Sequence, residues 1–386
     1  MATAEPRPRA DWSAYRVDFP IFERKVYLNT CSLGALSTRV GAAVSRFLAL
    51  WAEEGAPAWF GPWWEELGRL RARMAEILHA SPAEIALFPS ITAALTAVAS
   101  CFDYRARPRV VLSDLEFPTT AYQWLAKRDR GVEVEMLRSP DRMTVPAEAF
   151  ERAVDERTQL VAVSHVYFTS GVIQDITTLA RIAHARGAYL LVDAYQSVGQ
   201  LPLDVRASGV DFLVTGGLKW LLGGPGIAAL YVRRELHGTL RPADVGWFAH
   251  RDQFAFDVTQ FEHAPDARGF EGGTPALAAV YAGQAGVDIV AEIGVERLRA
   301  RQQLLLADLV ERLRTRRLSP RILGDPVRHA GIVTVPFGDP TRVVRALAAR
   351  GIVVDARPGV IRISPYFYNA VEDNEAIAGA LVALAA

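Results

Sequence analysis

Cysteine is scarce in this chain. It holds two, Cys31 and Cys101, too few for a disulfide framework or a zinc site, and no metal centre is expected. An excess charge of either sign is lacking as well. Lys and Arg total 43, as do Asp and Glu, for a net charge of +0. Nothing in that balance favours nucleic acid or an anionic membrane as a partner. The run Pro6-Arg-Pro-Arg9 is a short basic tail rather than a patch. No uninterrupted apolar run reaches the roughly 18 residues of a membrane span. The first residues lack the apolar core of a signal peptide, so a cytoplasmic protein is expected. There is no internal repeat and no low-complexity segment. What is present is 386 residues, 51% hydrophobic and 22% charged, enough for one large domain and a smaller one.

The stretch Tyr189–Val232 organises the rest. Three short apolar runs, Tyr189–Val192, Asp211–Val214 and Ile227–Val232, are bounded by Gly, Pro or Asp and read as buried strands. Asp193 stands just past the first. Lys219 stands just past the second, and the glycine-rich turn Gly223–Gly226 follows it. In a parallel sheet, ligands bind outside the carboxyl ends of the strands. A lysine there, flanked by Leu218 and by Trp220, Leu221 and Leu222, is partly desolvated. Desolvation lowers its pKa and frees an amine to attack a carbonyl. A lysine Schiff base plus an aspartate for a pyridinium nitrogen is the pairing that pyridoxal phosphate requires. Taken singly, Lys219 reads rather as a solvated loop lysine and Asp193 as a helix cap.

Together the pair resembles the cofactor core of fold-type I pyridoxal-phosphate enzymes, in the class V aminotransferase, cysteine desulfurase and kynureninase group. The matching residues are Asp193-Ala-Tyr-Gln196, Val210-Asp211-Phe212 and Lys219-Trp-Leu-Leu-Gly-Gly-Pro-Gly226. The resemblance implies an α/β fold. A large domain with a mostly parallel sheet between helices carries the cofactor, and a small C-terminal α+β domain follows. The boundaries expected are an N-terminal extension over 1–25, the large domain over 26–290 and the small one over 291–386. Strand and helix alternation from about residue 80 to 235 independently predicts parallel strands with right-handed crossovers. Residues 1–14 are expected to be loose.

Further motifs extend the resemblance from Val26 to the end of the chain. Val26-Tyr-Leu-Asn-Thr-Cys-Ser-Leu-Gly34 is similar to the family's pocket-lining segment, which makes Asn29 and Ser32–Gly34 substrate-side candidates; a capped strand end is the other reading. A strand from Ile85 runs into a helix near Ala93, capped by Ser90 or Thr92. That helix start suits a phosphate, and the family's phosphate seat falls on Ile91 and Thr92. Phe117, in Phe117-Pro-Thr-Thr120, is the candidate ring-stacking residue, or else a core Phe. His165 is either a proton-relay or ring contact or a satisfied loop histidine. Gln196 occupies the position that contacts the ring hydroxyl oxygen, and Thr215 is a phosphate candidate. Trp247 and Thr274 match elements that reach the partner subunit's phosphate, which implies a homodimer with a shared site. The aromatic run Trp59–Trp64 reads as packing at that interface.

A long helical stretch over Leu277–Arg317 precedes the small domain. There Gly331–Pro336 reads as a strand, Arg342–Arg350 as a helix, and Ile352–Val354 with Val360–Ser364 as a hairpin-like pair. Arg362, in Arg362-Ile-Ser-Pro-Tyr-Phe-Tyr-Asn369, matches the arginine that binds a substrate α-carboxylate; otherwise it is a surface charge on an alternating strand.

The resemblance implies a Lys219 aldimine with pyridoxal 5′-phosphate and an amino-acid substrate. Asp193 stabilises the ring and Lys219 is the acid and base at Cα. The core does not choose among reactions. A persulfide-forming desulfurase needs a late thiol, and no cysteine follows Cys101. Thr120, Gln196 and Leu218 depart from the kynureninase pattern. A class V aminotransferase is the leading expectation, with a β-eliminating carbon–sulfur lyase, a kynureninase-like lyase and an epimerase as alternatives. Asn29, Cys31, Tyr167 and His250 are candidate contacts to the substrate side chain.

Overall fold

The computed structural model describes residues 11–385. The basic run at 6–9 lies outside them, as do the first ten residues of the stretch expected to be loose. Residues 12–14 belong to a short helix, Trp12–Arg16, capped by Asp11. Arg16 pins this helix to Asp373 at 2.7 Å.

Among the described residues, twelve strands build three sheets. A short first strand, β1 (Val26–Tyr27), is followed by the seven strands of the main sheet. These are β2 (Ile85–Phe88), β3 (Arg109–Ser113), β4 (Glu133–Leu137), β5 (Thr158–Ser164), β6 (Tyr189–Asp193), β7 (Phe212–Gly216) and β8 (Ala228–Val232). Their order is β2-β8-β7-β6-β5-β3-β4. The pairs from β4 through β3, β5 and β6 to β7 are parallel. β8 runs antiparallel to both of its neighbours, β7 and β2. The short link from β7 to β8 explains this: ten or so residues cannot carry a crossover, so the chain turns back as a hairpin. Parallel strands are covered on both faces, hence the unbroken apolar runs of β5 and β6. The edge strand β4 instead exposes Glu133 and Glu135, charges that discourage edge-to-edge pairing.

Helices Thr38–Glu54, Pro62–Leu78 and Leu277–Ile293 pack against one another beside this sheet. Ser37 caps the first, its Oγ accepting from Val40 N at 3.1 Å. Among the described residues no single helix is long and apolar enough to cross a membrane. The expected continuous helix over 277–317 is two helices. They break at Gly294 (φ 88°) and bend by 79° into Val295–Thr315. Glycine reaches that left-handed φ without the steric penalty of a Cβ, which ends the first helix there.

The last strands are β9 (Val333–Pro336), β10 (Ile352–Val353), β11 (Asp355–Arg357) and β12 (Val360–Ile363). The hairpin forms between β11 and β12 rather than from Ile352–Val354. β10 pairs parallel with β1, 326 positions away in register. The turn Pro358-Gly359 decides this outcome, since Gly359 takes φ 77° directly before β12 and leaves two residues to close the loop. β9 completes this small antiparallel sheet. Leu28, Leu309, Val333, Ile361 and Ile377 share its apolar core.

Candidate active site

Strands β5, β6 and β7 deliver their carboxyl ends to one edge of the main sheet, with Ser164 paired to Asp193 and Asp193 to Val214. A cavity of about 190 Å³ opens there, lined by Ile91, Phe117, Phe168, Asp193, Tyr195 and Lys219, among others. A cavity of about 150 Å³ already takes a benzene ring.

Lys219 sits in the β7–β8 hairpin loop. Gly217 N donates to Ile227 O at 3.0 Å and Gly223 N to Gly217 O at 2.8 Å, closing the loop. The loop lies backbone-to-backbone on helix Leu277–Ile293: a Cβ on Gly223 would stand 2.6 Å from Gly283 Cα. The turn after β1 holds it from the other side. Gly34 N donates to Leu218 O at 2.9 Å, and a Cβ on Gly34 would collide with the Lys219 carbonyl oxygen. The amine is fixed among aromatics, with Nζ 4.6 Å from the Tyr195 ring centre and 5.6 Å from that of Phe117. Burial pulls its pKa down to about 8, against the opposing pull of Asp193 and Cys31. Arg362 and Arg357 add to the lowering.

Asp193 is buried. Its Oδ1 accepts from Tyr195 N at 2.9 Å and its Oδ2 from Thr120 Oγ1 at 3.1 Å. Burial raises its pKa, while these bonds and Lys219 oppose the rise. An ionised carboxylate offers about four lone-pair sites, so two donors leave it with capacity to spare, and among the described residues lining the cavity Lys219 is the one cation.

Gln196 also lines the cavity. Its Nε2 donates to Cys31 O at 2.9 Å and its Oε1 accepts from Trp220 Nε1 at 2.9 Å, which fixes the amide orientation. Ile91 lies at the start of helix Ile91–Ser100, two residues earlier than Ala93, because Ser90 Oγ accepts from Ala93 N at 3.3 Å. Amide N–H groups of a first helical turn lack intrahelical acceptors. Thr92, by contrast, is exposed and outside the cavity lining.

Other expected residues stand apart. His165 follows β5 with its ring off the cavity lining. Its Nδ1 has no partner among the described residues, and burial pushes the ring down to about 4, so it is neutral. Thr215 Oγ1 donates to Ala194 O at 3.4 Å and is likewise outside the lining. Tyr167 is in the core, 3.5 Å from Ser113 Oγ. Asn29 bridges to Ser364, and its Oδ1 is 4.0 Å from Cys31 Sγ. Thr274 lines a second, larger cleft of about 990 Å³ on the far side of helix Ile91–Ser100, together with Arg71, Ala93 and Arg268. Trp247 is half-exposed nearby, tied to Gln253 O and stacked on Phe256. His250 faces Phe261 in the same region.

Arg362 has unexpected company. It is 1% exposed, and its Nε and Nη2 grip Asp355 at 2.8 and 2.6 Å. Nη1 donates to Phe168 O at 2.7 Å and Nη2 to Ser32 Oγ at 2.7 Å. Ser32 also donates to Asp355. Asp355 and Arg362 are direct cross-strand partners of β11 and β12.

Several residues carry roles that motif matching overlooked. Thr120, read only as a departure, is a donor to Asp193. Tyr195 and Phe168 wall the cavity. Glu116 is buried and pushed up to about 7 by that burial. It accepts from both Ser164 N and Ser164 Oγ at 2.6 Å. The signal for Asp355 was its spacing: Asp355-Ala-Arg357 puts two charges on one strand face.

The residues fit pyridoxal phosphate. An under-bonded buried carboxylate faces the cavity that holds a deprotonation-prone lysine, an aromatic face stands beside it and a helix start opens onto it. Fold and site together define a pyridoxal-phosphate enzyme of the α/β type. The chain belongs to the class-V aminotransferase family, which it matches over residues 64–377. It is 33% identical over 362 residues to the uncharacterized aminotransferase YcbU of Bacillus subtilis (strain 168), covering 93% of this chain and 94% of that one. It is 29% identical to a kynureninase of Geobacillus thermodenitrificans (strain NG80-2), covering 93% and 88%. Its fold matches the apo cysteine desulfurase of Thermococcus onnurineus NA1 with a TM-score of 0.86 at 22% identity, over 99% of each chain.

Proposed function

We propose that the protein is an aminotransferase acting on an α-amino acid, working as a cytoplasmic homodimer with a large domain over 26–290 and a small one over 291–386. The observation that carries this reading is the convergence of Lys219 and Asp193 on one aromatic-walled cavity.

The amides of Ile91 and Thr92 would receive the cofactor phosphate at the positive end of their helix. Phe117 would cover one face of the ring. Gln196, held by Cys31 O and Trp220, keeps one N–H free for the ring hydroxyl oxygen. Asp193, steadied by Tyr195 N and Thr120, would hold a proton at the ring nitrogen. Bound there, pyridoxal phosphate supplies a carbonyl carbon for amines and an electron sink for charge developing at the substrate Cα. The arginine cluster around Arg362 takes the α-carboxylate. Lys219, as a free amine, would remove the substrate Cα proton and return it, the proton movement that an amino-group transfer requires. Phe117, Phe168 and Tyr195 keep water from that proton.

The open cleft bearing Thr274, with the exposed Trp51, Phe60, Phe254 and Phe256, supports a second copy docking on this face, where Thr274 and Trp247 would complete its phosphate seat. Sedimentation of the cofactor-loaded protein as a monomer would refute that part.

The reaction is tested by titrating the loaded enzyme with a panel of amino acids. The visible cofactor band should bleach and return on adding a 2-oxo acid. A band that persists while ammonia and a keto product accumulate means β-elimination. Deuterium incorporation at Cα without either means epimerisation. Each of these two outcomes overturns the aminotransferase reading.

A further inference from the structure

The main sheet opens beside the cavity. Strand β3 stays paired with β4 to its end, Ser113↔Leu137, but with β5 only as far as Val111↔Val161. β5 runs on to Ser164, held there by β6 alone. From this gap the chain goes outward to β4 on one side and to β6 and β7 on the other, the switch point at which open α/β sheets take their ligands. One side chain, Glu116, fills the gap. Its Oε2 accepts from Ser164 N and Ser164 Oγ, and its Oε1 accepts from Ser113 Oγ at 2.5 Å. All three residues are buried.

We propose that Glu116 is a positioning residue for the cofactor ring: it braces the cavity wall and, when ionised, supplies a second negative charge that strengthens the hold of Asp193 on the protonated ring nitrogen. The inference rests on the cofactor site of the proposed function and deepens it.

The brace reaches the cavity at two points. Ser164 lines it and is the register partner of Asp193, one strand spacing or about 4.8 Å away. Phe117, the next residue after Glu116, lines it as well and caps the helix whose Thr120 donates to Asp193. A glutamine would make the same bonds, so what the carboxylate adds is charge. The bonding also lets that charge change. Oε2 serves as an acceptor in either state. Oε1 faces a hydroxyl, which can donate or accept. When Oε1 carries a proton, Ser113 Oγ can turn to Tyr167 Oη at 3.5 Å. The titratable groups facing Glu116 are Asp193 from β6, Tyr167 from beyond β5 and Asp114 from its own turn, and none is a cation. Burial pushes Glu116 up to about 7, with the serines opposing the rise and Asp193 adding to it. Coupling between sites is reciprocal. A cationic ring nitrogen on Asp193 therefore favours ionised Glu116, whose proton leaves to water.

The test compares pyridoxal phosphate with its analogue bearing CH in place of the ring nitrogen, by equilibrium dialysis. At about pH 8.5 Glu116→Gln should bind pyridoxal phosphate about tenfold more weakly than wild type, the scale of one charge at this range in a partly polar interior. The difference should shrink to about twofold at about pH 6, where Glu116 of the free protein is protonated. The analogue should bind both proteins alike. Equal affinities for pyridoxal phosphate at about pH 8.5, or an equal loss of both ligands in the folded variant, overturn the proposal. A second measurement needs no variant and decides the case in which the glutamine protein does not fold. In protein labelled with carbon-13 at its glutamate carboxyls, the infrared band of a buried protonated carboxyl that moves with the label should fall on loading with pyridoxal phosphate at about pH 7 and persist with the analogue. No such band, or one untouched by loading, overturns the charge role. If the wild type binds neither ligand, the proposed function fails and this inference with it. Binding of both without the Glu116 effects leaves the function standing and removes Glu116.

Discussion

Two aspartates, Asp193 in the cavity wall and Asp355 in the small sheet, are treated in opposite ways. Asp355 is saturated by Arg362, Arg357 and Ser32, and its pKa is lowered by those partners despite burial. Asp193 has one backbone N–H and one threonine hydroxyl, and burial raises its pKa. A carboxylate with all its partners inside the protein is scaffold. A buried carboxylate with two hydrogen-bond donors and Lys219 as its neighbouring cation has acceptor capacity left to give a ligand. The same contrast separates the two basic groups: Arg362 is spent on its neighbours, whereas Lys219 is held by packing alone.

Substitutions at each pole can break this contrast. Lys219→Ala should have the largest effect. It removes the acid and base at Cα, a loss of about 10²–10⁴-fold in turnover from that role alone, together with the visible band of the lysine-linked cofactor. A variant that keeps the band would refute the assignment. Next, Asp355→Ala leaves Arg362 buried and unpaired, at a cost of about 3–5 kcal/mol. The midpoint of denaturant unfolding should fall accordingly, and an unchanged midpoint would show that Ser32 and Phe168 O suffice.

The pH dependence sharpens the other pole. With its pKa near 8, Lys219 of the cofactor-free protein is mostly ammonium at pH 7 and mostly amine at pH 9. Capture of pyridoxal phosphate should therefore quicken by about tenfold over that interval and level off above it. The unfolded chain holds this proton up to about pH 10.4, so the same group adds stability to the cofactor-free protein as pH rises from about 8. A flat capture rate would mean that the amine is solvated. The smallest effect belongs to Thr120→Val, which strips one donor from Asp193. At about 1 kcal/mol, pyridoxal phosphate should dissociate about fivefold more readily, and an equal dissociation constant would make Thr120 a bystander.

The main sheet was legible because its strands are buried on both faces and write themselves as unbroken apolar runs. Asp193 and Lys219 were legible for the same reason: each follows such a run. The direction of β8 was not written there. It depends on loop length, and the glycines around Lys219 that make the turn look the same in a crossover. The small sheet was harder. Ile352–Val353 has the composition of a hairpin strand, but its partner is β1, more than three hundred residues earlier, and no local pattern reports that. The error hid Asp355, because only the true register sets it opposite Arg362. His165 and Thr215 sit in motifs that point at the cavity, yet alternation along the strand turns their side chains away from it. Thr120 was judged by what it replaced rather than by what a hydroxyl can reach.

The turn at Asn29–Gly34 joins these two poles mechanically. One end of it is tied to Ser364, the residue after β12, which pairs with Asn29 and donates its N–H to Leu28 O at 2.8 Å, and the other rests on the backbone of Lys219 through Gly34. The turn works as a tie-rod. A displacement of the small sheet, where the arginines are, pulls on the loop that carries the amine, so the distance between the carboxylate anchor and the reacting lysine behaves as one fixed length instead of two independent positions. Alanine at Gly34 would press on the Lys219 carbonyl at one end of that rod, and it should reduce turnover while leaving the Lys219 and Arg362 side chains chemically intact.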